Sequence, residues 1–160
     1  MKGVLKLTFN FFRKKEEILS EKAVMVGAKA KDKYEAIEIV GELLVKDGRV
    51  ERSYIDEMKK REELLTTYIG NGIAIPHGGS EAKEKIKKSG LAVAQFPEGV
   101  DFGDGNKAYI VIGIAAKGDE HLEILSNIAS ACEDEKRVKK LIESKDPKEI
   151  LKLLREGFAK

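Results

Sequence analysis

A chain of 160 residues with 42% apolar side chains has the length of one globular domain and can build a core without disulfides or a structural metal. Its 30 basic and 28 acidic side chains leave a formal charge of +2, which excludes the strongly cationic surface that nucleic-acid backbones require. The single cysteine, Cys132, excludes an internal disulfide, and two histidines are too few for a Cys/His zinc cluster, so a reducing cytoplasm is the expected compartment.

In chain order, the opening MKGVLKLTFNFFRKK has an apolar run broken by Lys6 and no small-residue cleavage site, so no signal peptide is expected. No stretch reaches the roughly 20 apolar residues of a membrane span, and direct membrane insertion is not expected. Residues 1–17 read as an N-terminal extension, with a strand over 4–11, ahead of one domain over 18–160. A short strand is expected at 23–27. Asp32 then caps a helix reaching Gly48, with Glu35 three residues on and Ala36, Ile37, Val40, Leu43 and Leu44 along its inner face.

A second helix is predicted over 51–65, with Ser53 as cap and Ile55, Met58 and Leu65 inward, followed by TTYIGNG as a loop. Met25 and Met58 read as core fillers. Strands follow at 73–75, 90–96 and 108–116, the last apolar on both faces as in the centre of a covered sheet. The turn-rich PEGVDFGDGNK joins the last two, with the signals of a hairpin connection. Three helices close the chain. The first places Leu122, Leu125, Ile128, Ala129 and Cys132 on one side, the second Val138, Leu141 and Ile142, and the third starts from Asp146 with Pro147 in its first turn. Interleaved strands and helices predict an α/β layer fold with a mixed β-sheet.

The chemistry concentrates at IAIPHGG. His77 closes a strand after the fixed backbone of Pro76 and before Gly78 and Gly79, so its imidazole has room to face a partner. A neutral imidazole is a nucleophile toward phosphorus, and such a transfer needs cations or amide donors around the phosphoryl oxygens. Gly78, Gly79 and Ser80 offer amides, Arg61 a forked cation, and His121 a donor at the start of a helix. By residue type alone, His77 also fits a structural residue, or a metal ligand with His121, although no third ligand stands at metal spacing.

REELLTTYIGNGIAIPHG, GLAVAQFPEGVDFG and IVIGIAAKGDEHLEILSNIA, in that order, resemble the IIA domain of the phosphoenolpyruvate-dependent sugar phosphotransferase system, mannitol/fructose class, and most of all its mannitol-specific members. The resemblance runs from about residue 18 to the C-terminus. It implies a mixed β-sheet flanked by α-helices on both faces and no metal or organic cofactor. It also implies that His77 is the histidine phosphorylated, on Nε2, by HPr and discharged to a IIB domain, with His121 and Arg61 as the other active-site residues. Mannitol uptake is the expected service; the alternative is a regulatory, nitrogen-type IIA protein whose phosphorylation controls binding to another protein. Two features depart from the family pattern: GNG replaces an acidic or hydroxyl-bearing pair, and residues 1–17 have no counterpart. With no IIB or IIC segment in the chain, the domain is expected to work as a separate polypeptide.

Overall fold

Asp32 sets the frame of the first long helix. Its carboxylate accepts the Glu35 amide, and α1 (Lys33–Lys46) turns Ala36, Ile37, Val40, Leu43 and Leu44 into the core, as the spacing predicts, until Gly48 leaves the helix at φ 73°. This structure is a computed structural model and describes residues 18–158; the strand expected at 4–11 lies outside them.

Five strands form one mixed sheet: β1 (Val24–Met25), β2 (Tyr68–Gly70), β3 (Ile73–Ala74), β4 (Gly90–Asp101) and β5 (Lys107–Ala115), in spatial order β1-β4-β5-β3-β2. β1 pairs with β4 in parallel and β3 with β5 in parallel, whereas β4–β5 and β2–β3 are antiparallel hairpins. The strand read as covered on both faces, β5, is the central one. Alternation along β4 sends Ala92, Ala94 and Phe96 to one face and Leu91 and Val93 to the other. The first group packs with α1 and the second with the three C-terminal helices, α3 (Glu120–Glu133), α4 (Glu135–Glu143) and α5 (Pro147–Phe158). Helices therefore cover both faces of the sheet. No helix among the described residues is long and apolar enough to cross a membrane.

Several local expectations are corrected. The loop read in TTYIGNG contains β2, which turns into β3 through Asn71 at φ 51° between two glycines. β4 runs five residues past Phe96, through Pro97 and Gly99. Its register shifts between Gln95 and Val100, and its β1 neighbour pairs only as far as Ala94, so the missing Pro97 amide leaves no ladder bond unmade on that side. Ser53 sits before α2 (Tyr54–Leu64) without capping it through its side chain, and Leu65, read as inward, is 69% exposed. Met58 is buried, but Met25 faces outward. The buried face of α3 is Ile124, Ile128, Ala131 and Cys132, which leaves Leu122 77% exposed and Ala129 at the surface.

Candidate active site

The end of β3 delivers His77. Ile75 donates its amide to the Thr67 carbonyl, the Ile114 amide donates to the Pro76 carbonyl at 2.9 Å, and His77 pairs with Ile114 as a parallel bridge, so the Pro-His-Gly corner is laid along the last residues of β5. β5 then runs out through Lys117 and Gly118 into α3, whose first turn holds His121. One strand thus sets the distance between the two histidines. Their ring centroids are 5.4 Å apart, edge to face at 62°.

Arg61 arrives from α2. Its Nη1 donates to the Leu65 carbonyl at 2.5 Å, and the next residue, Glu62, fixes the exit of the helix. The buried Glu62 carboxylate accepts the Thr67 amide at 2.9 Å and the Thr67 hydroxyl at 2.6 Å, and pairs with Lys33 at 3.2 Å. All three residues singled out from the sequence therefore line one cavity of about 550 Å³, together with Gly78, Gly79, Ser80 and Lys83.

Burial favours the neutral form of both imidazoles. Burial lowers the pKa of His77 below its ordinary value; its bond to the Ile75 carbonyl opposes the shift, and the charge of Arg61 adds to it. Burial, with the Lys83 charge behind it, likewise lowers His121. His77 Nδ1 lies 2.8 Å from the Ile75 carbonyl oxygen. A carbonyl only accepts, so Nδ1 carries the proton and Nε2 holds the free lone pair. The corner therefore presents a neutral nucleophile of defined tautomer to the cavity.

Sequence reasoning missed Tyr54. Its ring lies beneath the corner, where a Cβ on Gly78 would come within 2.7 Å of it. Its buried hydroxyl donates to the Ile114 carbonyl and accepts the Gly78 amide, each at 2.8 Å, and burial pushes its pKa up to about 12. The Gly78 amide, expected as a phosphate donor, is thereby committed inward. The usable signal was helical spacing: Tyr54 and Arg61 stand two turns apart, on one side of α2. Among the described residues no group of three or more His, Cys, Asp or Glu side chains is placed to hold a metal ion.

Residues 17–157 match the family model described as phosphoenolpyruvate-dependent sugar phosphotransferase system, EIIA 2. The chain belongs to this family. Among relatives of this EIIA 2 domain, the mannitol-specific phosphotransferase enzyme IIA component of Geobacillus stearothermophilus is 49% identical over 139 residues, spanning 87% of this chain and 96% of the relative. The crystal structure of mannitol IIA from Escherichia coli matches with a TM-score of 0.80 at 42% identity, over 84% of this chain and 97% of that one. A second Escherichia coli structure, the complex of IIA mannitol with phosphorylated IIB mannitol, matches with a TM-score of 0.82 at 39% identity, over 87% and 99%. These identities extend the EIIA 2 assignment across the whole described fold.

Proposed function

We propose that this EIIA 2 protein is a cytoplasmic phosphoryl carrier that takes its group from the phosphohistidine of HPr and hands it to a IIB domain for mannitol uptake. His77 Nε2 attacks the phosphorus, a new P–N bond forms as the P–N bond to HPr breaks, and the HPr nitrogen keeps the electron pair. No proton is consumed, and the step needs no metal or organic cofactor. In the second transfer a bond from phosphorus to the acceptor's own nucleophile forms as the P–N bond to His77 breaks, and His77 Nε2 keeps the electron pair. Arg61 and His121 stabilise charge on the moving group.

The observation that carries this reading is the Nδ1 bond to the Ile75 carbonyl, which leaves Nε2 as a lone-pair donor in a cavity shared with Arg61 and His121. The identity of 49% to a mannitol-specific IIA component supports mannitol as the service. The test is intact-mass spectrometry after incubation with phosphoenolpyruvate, enzyme I and HPr, followed by addition of a mannitol IIB domain. The wild type gains one acid-labile phosphoryl group and loses it to IIB, while a folded His77→Ala variant gains none. A His77→Ala protein that still accepts phosphate overturns the assignment. A phosphorylated wild type that no IIB discharges, but whose binding to another protein changes, places the domain in regulation.

A further inference from the structure

We propose that Lys83 is a further catalytic residue of this site, its ammonium pairing with the phosphoryl oxygens as the group arrives on His77. The inference rests on the phosphoryl-carrier reading above. A phosphoryl group in flight exposes three equatorial oxygens, and the Gly78 amide, one of the donors beside His77, is held by Tyr54. Part of the Arg61 guanidinium is spent on the Leu65 carbonyl.

Charge bookkeeping around the cavity points the same way. Besides the two imidazoles, its ionisable lining consists of Arg61, Lys83 and Asp119, with Tyr54 held protonated. Two cations against one carboxylate leave a single net positive charge, and Lys83 supplies as much of it as Arg61 does. Without Lys83 the lining would be neutral toward an incoming dianion. Lys83 is an exposed residue at the cavity wall. Lys83 lies in the 3-10 turn Ser80–Lys85, anchored by buried Ala82, whose amide donates to Gly79 and whose Cβ would lie 3.0 Å from a Cβ on Gly78. Lys85 of the same turn is engaged elsewhere, 3.3 Å from Glu57. Lys83 has no ion pair among the described residues, and its charge already reaches His121 across the cavity.

The experiment is single-turnover phosphoryl transfer from phosphorylated HPr to wild type, Lys83→Gln, Lys83→Arg and the surface control Lys88→Gln, over a range of donor concentrations. Lys83→Gln is expected to lower the maximal rate by about tenfold or more, the size of one lost charged hydrogen bond, with half-saturation little changed. Lys83→Arg recovers most of the rate, and Lys88→Gln matches wild type. A Lys83→Gln loss confined to half-saturation would make Lys83 a docking residue and overturn the inference, as would a rate equal to that of Lys88→Gln. If the wild type accepts no phosphoryl group, the carrier reading falls and takes this inference with it. If the wild type accepts normally and the Lys83 variants keep pace, only the inference falls.

Discussion

The hydroxyl of Tyr54 stands 2.8 Å from the Gly78 amide nitrogen and 2.8 Å from the Ile114 carbonyl oxygen, stitching the residue after His77 to the strand that leads to His121. Tyr54→Phe keeps the ring beneath Gly78 but leaves a buried carbonyl and an amide without their partner. We expect a loss of about 1–3 kcal/mol in urea melts, as for other orphaned buried groups. We also expect slower transfer at saturating donor, because the corner is no longer held. Unchanged stability and unchanged transfer would show that the bridge is dispensable.

Both histidines have folded pKa values below the unfolded value of 6.5, so between the two values the unfolded chain binds more protons. Stability is therefore full above pH 6.5, declines as pH falls through that value, and stops declining from this source below the folded values. Urea melts at steps from about pH 7.5 to pH 5.5 should show the decline, and His77→Ala should flatten it. Phosphoryl acceptance should lose its pH plateau only at a lower pH than a freely exposed imidazole would, since burial holds His77 below its ordinary value; a fall-off at the ordinary imidazole midpoint would count against that shift.

Gln95 is the buried polar side chain of β4 facing the C-terminal helices. Its Oε1 accepts the Gly27 amide at 3.2 Å, while its Nε2 donates to the carbonyls of Leu141 and Ile142, both at 2.9 Å, and to that of Ser144 at the end of α4. Gln95→Leu preserves volume and strands these groups, so we expect a loss of about 2–4 kcal/mol by denaturant melting. A variant within about 0.5 kcal/mol of wild type would show that water replaces the amide.

Burial raises the Cys132 thiol to about 12 and leaves the residue 4% exposed. Iodoacetamide at about pH 8 should leave the folded protein unmodified and label it at once in denaturing urea. The labelling rate at intermediate urea then reports opening of α3. Rapid labelling without denaturant would mean that α3 opens readily in the native state.

Much of this was legible in the sequence, and the failures have physical causes. α1 was read correctly to its last inward residue because its cap, its spacing and Gly48 agree. His77, Arg61 and His121 come forward as one active site through the family resemblance, because residue type and spacing fit each of them equally to a structural or solvated role. Leu65 and Leu122 were misread as core, since apolar spacing cannot separate a side chain that packs inward from one that stands exposed at the surface. Leu122 lines the cavity and Leu65 holds Arg61 through its carbonyl. Helical spacing puts Tyr54 on the Arg61 side of α2, but its role depends on two hydrogen bonds to backbone groups 24 and 60 residues away, which that spacing does not encode. The far half of β4 was missed because Pro97 and Gly99 signal a turn, and only a strand with an open flank tolerates them.

The bond from His77 Nδ1 to the Ile75 carbonyl also shapes the traffic through this protein. With one ring nitrogen locked inward, only Nε2 is left to meet a partner, so in the proposed carrier role donor and acceptor take turns at the same doorway. The carrier then behaves as a shuttle with an occupied and an empty form. An empty copy can only take from a loaded donor and a loaded copy can only give to an empty acceptor, so the flow it sustains depends on the balance of the two forms as well as on its own abundance.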